Sequence, residues 1–209
     1  MIVTRELQYA GCHEVPPVEL GPMASQSWYD DPRHLGFVLA RYKFVAKMLE
    51  GTRHVAEIGC GDGFGARIVK QTTRNLDLYD FDPAFKPDFV HDIVQAPLPN
   101  LYDAVFMLDV FEHIHPKDEL KVLDNVCASL RTQGVFIVGV PSLESQSYAS
   151  ARSKAGHVNC KTGNDVRALM RDYFANVFLF GMNDEVLHTG FSPMCHYLFA
   201  LCCTPLKVG

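Results

Sequence analysis

Between His34 and Leu49 the apolar residues Leu35, Val38, Leu39, Tyr42, Val45, Ala46 and Leu49 recur at three- and four-residue spacing, which predicts a helix that buries one stripe. From Arg53 onward the rhythm changes. Short β-rich runs at 54–58, 75–79, 88–91, 102–108 and 134–140 alternate with helical stretches at 64–72, 117–130 and 162–172. Two late strands, 175–182 and about 195–202, close the pattern. The run GVFIVGV (134–140) is almost unbroken in its apolar character, as a central parallel strand covered on both faces requires. Alternating β and α elements predict a parallel sheet with helices on both faces. The late pair adds an antiparallel edge. The expected fold is therefore a doubly wound, mostly parallel, seven-stranded α/β sheet with an antiparallel edge strand.

At 209 residues the chain has the size of one α/β domain, and 48% hydrophobic residues suffice for its core. The expected plan is a single domain over 1–209, with an amino-terminal lid and helix at 1–50 and a core at 51–209 carrying an insertion at 142–160. Residues 1–33, rich in Pro, Gly and polar groups, are expected to lie over the surface. Seven scattered cysteines form no CxxC pair and predict buried, reduced thiols. The first twenty residues hold no apolar signal region, and no run approaches the ~20 apolar residues of a membrane span. A cytoplasmic protein without a membrane partner is expected. A net charge of −5 without a Lys/Arg cluster argues against a nucleic-acid partner. Nothing in the sequence sets the oligomeric state.

The strongest local signal is VAEIGCGDGFG (55–65), a strand running into a turn with glycine at alternate positions. Glycine takes positive φ and lets backbone approach a ligand closely. In doubly wound sheets such a crevice, at the carboxyl ends of the strands, is where ligands bind. A phosphate loop would need GxxxxGK[ST], which is missing, and the dinucleotide spacing GxGxxG fails because Phe64 stands where its third glycine belongs. Asp80 ends the second strand, where a carboxylate can accept both hydroxyls of a ribose. A turn residue exposed to solvent is the plain alternative. Asp92 and Ile93 follow the third strand, at the edge from which an adenine amino group can be reached, with a helix cap or loop charge as the plain alternative for Asp92.

These residues resemble the class I S-adenosylmethionine-dependent methyltransferases, especially the small-molecule branch that includes ubiquinone-type and sugar O-methyltransferases. The likeness runs over about residues 53–200 and rests on VAEIGCGDGFGARIV, LYDFDP, YDAVFMLDVFEHI and LDNVCASLRTQGVFIVGVPS. It implies S-adenosylmethionine as cofactor, S-adenosylhomocysteine as product and a small-molecule acceptor, a sugar or similar hydroxyl. It further implies that Glu57, Gly59, Gly61 and Gly63 line the methionine and ribose part of the cofactor. Asp80 would hold the ribose, Phe81 would stack near adenine, and Asp92 with Ile93 would frame the base. Asp109 and Val110 would lie near the sulfonium, with His113 at the mouth. One departure stands out: only seven residues separate Asp80 from Asp88, so the family's usual helix there is nearly absent.

A hydroxyl acceptor must lose a proton, and histidine is the commonest base. His157, in the segment after the Ser-rich stretch 142–153, and His113 are the candidate catalytic residues, with hydrogen bonding in a loop as the alternative role. Arg41 is a candidate partner for the cofactor carboxylate, and Trp28 or Tyr29 for a lid. No HxxxH or Asp–His set has ligand spacing, so no metal is expected. Two other functions share the fold: a catalytically silent cofactor-binding subunit, and a methyltransferase acting on protein or nucleic acid.

Overall fold

The computed structural model describes residue 11 and residues 14–206. The early strands are β1 (His54–Ile58), β2 (Asn75–Asp80), β3 (Phe89–Val90), β4 (Tyr102–Leu108) and β5 (Leu130–Pro141). Three more follow: β6 (Phe174–Asn183), β7 (Val186–His188) and β8 (Tyr197–Pro205). Across the sheet they stand in the order 3-2-1-4-5-8-6-7. The first five pair in parallel, whereas β8 lies antiparallel between β5 and β6. The order reverses between β1 and β4, which opens a crevice at their carboxyl ends.

The sheet has eight strands where seven were expected, and the extra one is β7. It pairs back on β6 through Asn183↔Val186, so only Asp184 and Glu185 form the turn. Asp184 takes φ 53, the left-handed conformation such tight hairpins demand and aspartate tolerates. The missing helix between β2 and β3 is confirmed: a short 3-10 turn, Pro83–Phe85, makes the connection, with Asp82 accepting from Ala84 N at 2.8 Å.

Among the described residues six helices accompany the sheet: α1 (Pro22–Asp30), α2 (Arg33–Met48), α3 (Ala66–Lys70), α4 (Glu119–Ala128), α5 (Ala151–Gly156) and α6 (Gly163–Arg171). Residues of the central strands alternate between two cores. Ala56, Val105, Phe136 and Ala200 face the side covered by α4 and α6. Val55, Phe106, Ile137 and Phe199 face the side covered by α2 and α3. This period of two is why the central strands read as continuous apolar runs: both faces are dry. Burial of one such ring contributes about 1.5–3 kcal/mol. Phe44, outside the predicted α2 stripe, is buried against Phe199 with ring centroids 4.5 Å apart.

Two helices fall where none was predicted. One is α1, within the segment expected to lie over the surface, of which residues 1–10, 12 and 13 fall outside the described part. The other is α5, inside the insertion. Among the described residues no helix is long and apolar enough to cross a membrane. The described cysteines are free thiols, most of them buried, and burial pushes the Cys60 thiol up to about 12.

Candidate active site

Strand β1 ends in a turn whose backbone is left-handed at Gly59 (φ 75), Gly61 (φ 52) and Gly63 (φ 64). A Cβ at Gly59 would also stand 2.3 Å from Val110 Cγ2, so the first glycine is required twice over. Asp80, buried at the end of the neighbouring strand, accepts from Gly61 N and from Asp82 N, each at 2.9 Å. One carboxylate thereby ties the glycine turn to the end of β2. Its oxygens keep lone pairs for further donors.

Glu57 is buried beneath this turn, where Tyr42 donates a 2.5 Å hydrogen bond to Oε1. Its Oε2 has no partner. Burial, partly offset by the Tyr42 hydrogen bond, holds the carboxyl at about 8, so it is protonated at neutral pH. Tyr42 lines the cavity above; Glu57 stands behind it rather than on the wall.

That cavity, about 360 Å³, is bounded by α1, α2, the glycine turn, the end of β4 and the insertion. Helix α1 closes over the turn: Asp62 accepts from Ala24 N at 2.9 Å, and Met23 Sδ lies where a Cβ on Gly61 would reach it at 2.9 Å. On the opposite wall Asp109 takes the left-handed φ of 56, uncommon for a residue with a side chain. Its conformation is held by Arg41, whose Nη1 donates to both carboxylate oxygens at 2.8 and 2.7 Å. Arg41 therefore bonds to Asp109, where the sequence suggested a cofactor carboxylate. Its guanidinium lies 3.9 Å above the Tyr197 ring, and its Nε is buried without a partner.

After Asp109 the chain makes a single 3-10 turn, Phe111–His113, which aims Glu112 and His113 at the same cavity. Glu112 is 1% exposed, and burial with the Asp109 charge nearby raises its carboxyl well above the ordinary range. His113 Nδ1 lies 2.8 Å from Gly156 O, and His157 Nδ1 lies 2.8 Å from Gln146 Oε1. The two rings are edge to face at 5.1 Å. Burial, then the neighbouring His113, lowers the His157 imidazole and favours its neutral form. A second cavity of about 420 Å³ shares Pro141, Ser153 and His157 with the first, so His157 stands at their junction.

The structure thus brings Gly59, Gly61, Asp109, His113 and His157 into the lining of one cavity, with Asp80 beneath the turn and Val110 against it. Phe81, Asp92 and Ile93 lie outside that cavity. Phe81 is 73% exposed beside Asp80, whereas Ile93 is buried in the core and Asp92 bonds Val94 N. A larger groove, about 500 Å³, runs along α2 toward β7, lined by Leu39, Lys43, Lys47 and Leu187. It contains neither the glycine turn nor a histidine and is a separate feature. Sequence reading missed Tyr42, Tyr197 and Gln146, whose positions in an apolar helix, an apolar strand and a Ser-rich loop carry no signal.

These residues suit a nucleoside cofactor with a charged amino-acid tail. A carboxylate that accepts two amides lies beneath a turn of bare backbone with an exposed ring beside it, and the adjoining cavity holds buried Arg41 and Glu112 atoms without hydrogen-bond partners among the described residues.

Comparison with known proteins agrees. Residues 29–177 match the profile of a family described as a methyltransferase domain. A probable S-adenosylmethionine-dependent methyltransferase of Mycolicibacterium smegmatis is 31% identical over 112 residues, which span 48% of this chain and 42% of that protein. Among solved structures, the N-methyltransferase NodS of Bradyrhizobium japonicum, in complex with S-adenosyl-L-homocysteine, superposes with a TM-score of 0.61. That match is 16% identical and covers 96% of this chain and all of the other. An S-adenosylmethionine-dependent methyltransferase of Archaeoglobus fulgidus gives a TM-score of 0.67 at 15% identity, covering 87% of this chain and 99% of its own. At such identities the structures attest the fold.

Proposed function

Because the chain belongs to the methyltransferase-domain family, whose cofactor is S-adenosylmethionine, we propose that it transfers a methyl group to a hydroxyl of a sugar or similar small metabolite. The observation that carries this reading is the position of His157, at the junction between the cavity beside the glycine turn and the cavity walled by the insertion. The first would take the methionine end of the cofactor and the second the acceptor. When bound, S-adenosylmethionine supplies a methyl group already activated by its sulfonium.

The protein's own residues then have three tasks. Asp80 and the glycine turn hold the ribose and the amino-acid tail, and Phe81 offers its exposed face to the base. Asp109, fixed by Arg41, sets a carboxylate near the positive sulfur. His113 and His157 activate the acceptor hydroxyl. Each ring has its Nδ1 on a carbonyl oxygen, which makes Nδ1–H the donor and leaves the Nε2 lone pair free. Most of the rate comes from holding the two reactants in line, which is worth up to about 7–11 kcal/mol in favourable cases. Helix α1, over the turn, keeps water from the reacting atoms.

The test uses labelled S-adenosylmethionine with a panel of hydroxylated metabolites. Transfer to at least one hydroxyl is expected, and His157→Ala should lower kcat about 100-fold. S-adenosylhomocysteine binding, followed by calorimetry, should stay within about twofold. Full turnover in His157→Ala would remove this residue from the chemistry. Failure to bind S-adenosylhomocysteine would overturn the enzymatic reading itself.

A further inference from the structure

We propose that Glu112, His113 and His157 form a binding site for one divalent transition-metal ion of the zinc, cobalt or manganese class. Three observations converge on it. One donor atom from each residue lies within 4.8 Å of the other two, although His157 is 44 positions beyond His113 in the chain. Both imidazoles direct Nδ1 to a carbonyl oxygen, Gly156 O and Gln146 Oε1, each at 2.8 Å. A carbonyl partner on one ring nitrogen fixes the tautomer and presents the other nitrogen as a ligand, the outer-shell arrangement seen around metal-bound histidines. Finally, Glu112 Oε2 is buried and has no hydrogen-bond partner among the described residues, while Oε1 is 4.0 Å from His113 Nε2. A buried carboxyl oxygen left so is costly, and a cation between it and the two rings would satisfy it as a carboxylate.

Two imidazoles and one carboxylate are a known catalytic donor set, with the remaining position open to substrate. Metal–ligand bonds of about 2.0–2.2 Å place tetrahedral donors roughly 3.3 Å apart, so the three groups must close by about an ångström or somewhat more. Side-chain rotation supplies this for His113, which is half exposed. Asp109 is excluded from the set by its two bonds to Arg41. The role of the ion rests on the hydroxyl acceptor proposed above: an acceptor oxygen in the open position becomes more acidic. The O–H bond breaks with its electron pair left on oxygen, and the proton leaves to solvent through the cavity mouth. In this way the two histidines activate the hydroxyl as ligands. Spacing along the chain could not show this, since the third ligand arrives from the insertion.

The experiment adds Co²⁺ alone to the chelator-treated full chain and follows both calorimetry and the visible absorption of the ion. One equivalent should bind, with the intensified absorption of a low-coordinate site. Glu112→Gln and His157→Ala should each weaken it by about 100-fold or more, at least the loss seen when an outer-shell partner is removed. His115→Ala and His188→Ala should leave it unchanged. His157 is partly exposed, so its variant tests the site even if the Glu112 variant fails to fold. Absence of saturable binding, or equal binding in His157→Ala, overturns the proposal. S-adenosylhomocysteine calorimetry in the presence of chelator, run beside it, reports on the methyltransferase reading alone. Cobalt binding without it would uphold the metal site and overturn the enzyme, and the reverse result would do the opposite.

Discussion

The two halves of the cavity are built in different ways. The half beside the glycine turn comes from residues 59–62, 64 and 65, a short stretch of chain tied from beneath by Asp80, and its shape is set by backbone that is left-handed at three glycines. The half beneath the insertion is made of side chains from distant segments: Arg41 from α2, Asp109, Glu112 and His113 after β4, His157 with Gln146 from the insertion, and Tyr197 from β8. Backbone can grip a constant cofactor whatever the acceptor. Side chains on separate elements can be exchanged one at a time, which in our reading suits the end of the cavity that opens toward the acceptor.

The largest effect should come from breaking the first half at its single tie. Asp80→Ala removes a carboxylate that accepts from two amides and, in our reading, from the ribose. With charged hydrogen bonds worth about 1.5–3 kcal/mol each, S-adenosylhomocysteine affinity should fall by about 10²–10⁴. Calorimetry reads this directly, and an affinity within about threefold of the parent would show that the cofactor lies elsewhere.

A smaller effect sharpens the electrostatics under the turn. The Glu57 carboxyl is raised from 4.5 to about 8 by burial, so the folded chain keeps a proton that the unfolded chain releases. Its contribution is full below about pH 4.5 and is lost as pH rises through about 8, with a slope of at most about 1.4 kcal/mol per pH unit. Urea unfolding of the cofactor-free protein should show this decline in stability, and Glu57→Gln should flatten it. An unchanged slope in Glu57→Gln would mean that another group titrates.

The smallest effect concerns the lid that covers both halves. Asp62 accepts from Ala24 N at the start of α1, so Asp62→Ala should loosen that helix by about 1 kcal/mol. Trp28, the chain's one tryptophan, lies on α1 and reports the change through fluorescence anisotropy. Equal anisotropy in parent and variant would show that the contact does not hold the lid.

Strands 54–58 and 102–108 were legible to the residue because most of their positions are apolar and pack into one or the other of the two cores. The glycine turn was legible because a left-handed backbone demands glycine at particular positions, and Asp80 because it ends a strand that the sequence pattern marks. Short elements were not legible. Helix α1 buries only Ala24, so it has no stripe to read, and its start depends on Asp62, 38 positions away. Strand β7 spans three residues and exists through its pairing with β6.

Local chemistry therefore settled the main strands of the sheet and the places of the glycine turn and of Asp80, because those features depend on neighbours in the chain. Their long-range partners were decided in space. Arg41 could have met a ligand or a neighbour, and packing against Tyr197 delivered it to Asp109. His113 and His157 are unremarkable loop histidines until the insertion folds back and sets their rings 5.1 Å apart over a buried carboxyl. Contacts of that kind follow from the path of the chain across the top of the sheet, and no spacing of residues encodes them.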